Sequence, residues 1–112
     1  MSEIFYLDDY QNKSSLTAIF PEDSALEYLC LGLMSEAGEV AGKIKKIIRD
    51  DKYEITEERK NQLSSEIGDV LWYLAQLSLE LNIPLSRIAT ENIEKLKDRE
   101  KRGKISGSGD SR

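Results

Sequence analysis

Residues 32–42 read GLMSEAGEVAG and residues 64–74 read SSEIGDVLWYL. Each stretch carries two acids three residues apart, Glu36 with Glu39 and Glu66 with Asp69. That spacing puts both carboxylates of a pair on one face of a helix. Each pair also lies within a run whose apolar residues recur at helical period, where an uncompensated acid is costly. Four carboxylates brought together repel one another, and a divalent cation is the simplest compensation. A metal site is therefore the leading expectation, with two solvated acid pairs as the alternative, since Asp8/Asp9 and Glu57/Glu58 show how readily acids cluster in this chain.

Working outward, the apolar positions define four helices. The second runs from about Glu22 to Arg49, with Leu26, Leu29, Cys30, Leu33, Ala37, Val40, Ile44, Ile47 and Ile48 on one stripe. The polar stretch from Asp50 to Glu54 breaks it. Thr56 is a suitable N-cap, followed by Glu57 and Glu58 where the helix dipole favours them. The third helix runs to about Leu81, with Leu63, Ile67, Val70, Leu71, Leu74, Leu77 and Leu81 inward. Asn82 and Pro84 separate it from a fourth, Leu85 to Arg102, whose inward positions are Leu85, Ile88, Ala89, Ile93 and Leu96. A first helix covers Ser2 to Leu16, with Ile4, Leu7 and Tyr10 or Gln11 on one side. No segment has strand periodicity. The fold class is thus all-α, a four- to five-helix bundle built around an antiparallel hairpin. One helical domain spans 1–102, and 103–112 is a Gly/Ser-rich tail whose simplest reading is a disordered end.

At about 100° per residue, with Leu33 and Leu63 as zero and the stripes spanning about −40° to +80°, Glu36 and Glu66 both fall near −60° and Glu39 and Asp69 near −120°. The two-fold axis relating antiparallel helices carries like flanks to the same side, so all four carboxylates can converge. Oxygen donors without histidine or thiolate favour a hard cation, Mg²⁺ or Mn²⁺, over zinc. A di-iron bundle would need Glu-x-x-His pairs, and the chain has no histidine. A hard cation beside carboxylates suits water attack on a phosphoryl centre, with Glu36 or Glu39 orienting or deprotonating the water.

The fourth helix adds a basic seam. Asn92 falls in its apolar stripe, and Lys95, Arg99 and Arg102 follow on one flank. Such a row could donate to phosphate oxygens, or could pair with acids elsewhere. Tyr73 lies one turn after Asp69 and could stack on a base. Trp72 points away from the stripe, either into a contact between subunits or under a terminal helix. No P-loop occurs.

The net charge of −5, from 21 acids and 16 bases over 112 residues, argues against a broad nucleic-acid interface. Cys30 is alone, which fits a buried thiol in a reducing compartment. No run approaches the roughly 20 apolar residues of a membrane span, and the acidic N-terminus lacks a signal-peptide pattern. A soluble cytoplasmic protein without membrane partners is expected.

The order E-x-x-E, spacer, E-x-x-D, together with GDVLWYL and the later N-I-x-K-L-x-x-R, resembles the MazG-like all-alpha nucleoside triphosphate pyrophosphohydrolases over roughly Leu31 to Arg112. The resemblance implies Mg²⁺-dependent cleavage of the α–β phosphoanhydride to a nucleoside monophosphate and pyrophosphate, in removal of unwanted or excess nucleotides. It implies a homodimer or homotetramer. Glu36, Glu39, Glu66 and Asp69 would be metal ligands, and Asn92, Lys95 and Arg99 would contact the nucleotide, with Tyr73 beside them. Many members begin the motif with two adjacent acids; here the first position is Ser35, which leaves the number of ions open. Two other readings stand beside this one: a narrow pyrimidine dNTP pyrophosphatase, and a non-catalytic helical oligomer that binds a nucleotide or a partner.

Overall fold

Leu29 and Ile47 are the most deeply buried large side chains, and both belong to one long helix. In the computed structural model, which describes residues 6–112, that helix is α2 (Ala25–Asp50), preceded by α1 (Leu7–Ser14) and followed by α3 (Glu57–Glu80) and α4 (Leu85–Lys101). Short 3-10 turns occupy Ser15–Thr17 and Glu22–Ser24. There is no strand among the described residues. The expected position of Ile4 lies outside them.

The α2–α3 hairpin is the main helix pair. Its connection is defined by local chemistry. Lys52 and Tyr53 take left-handed backbone (φ 52 and 62°), and the Asp51 and Tyr53 amides both donate to the Ile47 carbonyl, at 3.0 and 3.1 Å. This satisfies a C-terminal carbonyl of α2. Thr56 Oγ1 accepts from the Arg59 amide at 3.1 Å as the N-cap of α3. Arg59 Nε then reaches back to Asp51 Oδ2 at 2.7 Å, across the turn. The turn therefore sets the register in which α2 meets α3.

A second set of bonds fixes the outer helices. Gln11 on α1 is 3 % exposed. Its amide nitrogen donates to the Ile83 carbonyl at 3.0 Å and its oxygen accepts from the Leu85 amide at 3.0 Å. Asp8 accepts from the Ser86 amide and hydroxyl at 2.9 and 2.7 Å. Pro84 has no side-chain cap to offer α4, so α1 supplies the capping from outside. The Ser86 amide and then its hydroxyl hold the Asp8 carboxyl below its usual range. Gln11→Ala leaves the Ile83 carbonyl and the Leu85 amide without their partner. Its expected cost is about 1–3 kcal/mol, read as a fall in melting temperature of about 4–8 °C per kcal/mol.

Helix α4 packs on α1 rather than on the hairpin, and the radius of gyration is 17.0 Å, against about 13 Å for a compact chain of this length. Several residues expected inward are consequently exposed: Leu26, Ile44 and Ile48 on α2, Ile67, Leu74 and Leu81 on α3, and Ile88, Ile93 and Leu96 on α4. Cys30, expected as a buried thiol, is exposed for the same reason. Asn92, expected within a buried stripe, is exposed as well. On α3 the buried residues are Ala75, Gln76 and Ser78, none of them in the expected stripe, because α1 as well as α2 packs on this helix.

Candidate metal and nucleotide site

Glu66 and Asp69 leave α3 from one face, and Glu36 faces them from α2. One carboxylate oxygen from each lies within 4.8 Å of the others. Glu39 is outside this group and exposed. The antiparallel hairpin accounts for the difference. Three residues along α2 carry Glu39 about 4.5 Å further, in the direction that leads away from Asp69. Convergence thus holds for three of the four acids within one chain.

Burial, followed by Asp69, Glu66 and Glu39 in that order, raises the Glu36 pKa above its ordinary value. Every charge in that set has the same sign as Glu36. Three hard oxygen donors, mutually repelling and uncompensated by a nearby base, suit a divalent cation of the Mg²⁺ class.

Beside the acids lies a cavity of about 350 Å³, lined by Thr17, Glu36, Asp69, Trp72 and Tyr73. Tyr73, one turn beyond Asp69, meets the Trp72 ring edge-on, with centroids 4.9 Å apart and planes at 82°. Burial and then Tyr28, with Glu36 and Asp69 contributing, push the Tyr73 phenol up. Tyr10, on α1, is also raised, by burial and then by the charge of Asp69. Trp72 lies under the first helix: its Nε1 donates to the Ser14 carbonyl and to Thr17 Oγ1, both at 3.0 Å. Gln76, one turn on, donates to Ser14 Oγ at 2.6 Å. These bonds bring the 3-10 turn Ser15–Thr17 against α3 and form one wall of the cavity.

Thr17 and Tyr10 are absent from the site expected from sequence. They lie more than 50 residues from Asp69 and follow no periodic relation to it. The outward angle of Trp72 was the one signal that something must cover that face.

The basic seam is distributed differently. Asn92 and Lys95 are exposed on α4, which does not reach the hairpin's acid edge. Arg99, expected to face phosphates, is 6 % exposed, and its Nη2 donates to the Asp110 carbonyl at 2.7 Å. It anchors the tail. Arg112 donates to the carbonyls of Lys104, Ile105 and Gly109. Residues 103–112 are therefore folded back around two guanidinium groups, where composition suggested a free end.

Comparison with known proteins agrees with the architecture. The family model described as the MazG nucleotide pyrophosphohydrolase domain matches residues 24–103. The chain is similar to the Gene 37 protein of Mycobacterium phage L5, 47% identical over 113 residues, covering 96% of this chain and 99% of that one. No solved structure matches.

Proposed function

The chain belongs to the MazG nucleotide pyrophosphohydrolase domain family, and from that premise we propose that it hydrolyses nucleoside triphosphates at the α–β phosphoanhydride, with Mg²⁺, to a monophosphate and pyrophosphate. The observation that carries this reading is the convergence of Glu36, Glu66 and Asp69 at the edge of a cavity. These three carboxylates would hold the ion, and a bound Mg²⁺ (or Mn²⁺) would supply positive charge for the phosphate oxygens. Glu39, one turn along α2 and facing solvent, takes the proton of the attacking water and completes the acidic edge.

The phosphates also need positive groups, and α4 carries them. From Lys95 to Arg112 there are seven Lys or Arg against three Asp or Glu, in a chain whose net charge is −5. Lys95 opens this segment and Asn92 lies three residues before it, both away from the acids of their own chain. We place them at the acids of a second copy, in a homodimer or homotetramer that also covers the exposed apolar stripes. Such a partner explains why α4 projects with Ile93 52 % exposed. Among the described residues no helix is long and apolar enough to cross a membrane.

The test is turnover of each NTP and dNTP, with and without Mg²⁺. The expected result is hydrolysis that stops on chelation and returns with Mg²⁺ or Mn²⁺. Turnover that persists in full after chelation, or no turnover of any nucleotide, contradicts the reading.

A further inference from the structure

Gly32 faces the Tyr73 ring at very close range. A β-carbon built on Gly32 would overlap Cε1, Cζ and Cδ1 of that ring. Gly32 is inside α2 with ordinary helical backbone, so nothing in its conformation calls for glycine, and glycine in a helix interior is unfavourable relative to alanine. The reason is space: α2 has a notch here, and Tyr73 occupies it. Trp72 closes on the ring from its edge, itself held by the two bonds from Nε1. The ring is thus fixed between a notch and an anchored indole, next to Glu36 and Asp69.

We propose that Gly32 is a specificity-determining positioning residue. By letting Tyr73 sink into α2, it keeps open the cavity of about 350 Å³ whose wall includes Glu36 and Asp69, and the side of that cavity formed by Thr17, Trp72 and Tyr73 takes the nucleoside end of the substrate while its acid side takes the phosphates. The proposal rests on the hydrolase reading of the same site. The walls have the required chemistry. Trp72 and Tyr73 present aromatic surface to a base or sugar. Thr17 Oγ1 donates to the Ser14 carbonyl at 3.1 Å and accepts from Trp72, which leaves one lone pair for a donor on the ligand.

Gly32→Ala drives the ring out of the notch toward the cavity. The expected result is a rise of tenfold or more in KM for nucleoside triphosphates. Competitive inhibition by inorganic tripolyphosphate with Mg²⁺, which has no nucleoside to place, stays within twofold. An unchanged KM, or an equal loss for tripolyphosphate, overturns the proposal. A double-mutant cycle isolates the cause: in a Tyr73→Leu background, where the struck ring is gone, Gly32→Ala changes KM by less than twofold. A larger change there also overturns the proposal, and this arm holds even if Gly32→Ala alone fails to fold. A parent chain that turns over no nucleoside triphosphate sinks the hydrolase reading instead. Calorimetric binding of a nucleoside triphosphate and of tripolyphosphate to the same four proteins then decides the cavity by itself.

Discussion

Asp69→Asn is expected to lower turnover by at least about a hundredfold while making the metal-free protein more stable. The two effects have one source. Asp69 is the largest of the charges acting on Glu36, and its oxygen is one of the three that converge. In the proposed site, removing it takes away an ion ligand, and metal stabilisation of a phosphoryl transition state amounts to several kcal/mol, or about two or more decades in rate. It also removes like-charge repulsion from the empty site. Loss of a merely structural acid would lower activity and stability together, so thermal melts of both proteins under chelation separate the cases. Added Mg²⁺ should then raise the melting temperature of the parent, by linkage, and leave the variant nearly unmoved.

The same cluster gives a pH dependence with a definite sign. The Glu36 pKa is raised above its ordinary value of 4.5. The folded metal-free protein therefore holds that proton more tightly than the unfolded chain does. Its stability falls as pH climbs from the ordinary value through the raised one, with the whole penalty present above both. If Glu36 holds the proposed ion, binding displaces the proton, and affinity for Mg²⁺ is expected to rise over the same window.

The second large effect concerns assembly. Replacing Ile93 and Leu96 together by aspartate is expected to convert the proposed oligomer to monomer, with turnover falling at least tenfold. Both side chains are exposed on α4, at 52 and 40 %, so within one chain the substitution disturbs little packing. In the proposed assembly the exposed half of each is buried, at about 1 kcal/mol apiece, and two charges on that face are prohibitive. Leu31 and Met34, at 71 and 60 %, belong to a second such surface on the hairpin. Activity falls because Asn92 and Lys95 no longer reach a neighbouring acid edge. Light scattering with circular dichroism checks it: retained helicity with halved or quartered mass is expected. An unchanged mass with full activity contradicts the shared site.

Much of this was legible in the chain. The helical runs, the Thr56 cap and the break at Asn82–Pro84 follow from local propensity and capping. The acid pairs were found from spacing alone, because a carboxylate within an apolar stripe is conspicuous at any distance from its partner. What escaped was anything set by tertiary placement. Angular phase gives the face of Glu39 but not its height in the hairpin. Arg99 has the phase of a phosphate contact, yet the tail folds back to occupy it. Gly32 looks like an ordinary small residue until the Tyr73 ring is seen against it. Thr17 belongs to the site only because Trp72 and Gln76 draw a distant 3-10 turn onto α3.

The central claim, that the acids at Glu36, Glu66 and Asp69 support attack at the α–β bond of a nucleotide, is tested most directly by product identity. Phosphorus NMR of a nucleoside triphosphate incubated with the protein and Mg²⁺ should show the monophosphate and pyrophosphate growing in equal amounts. A diphosphate accompanied by orthophosphate would contradict it.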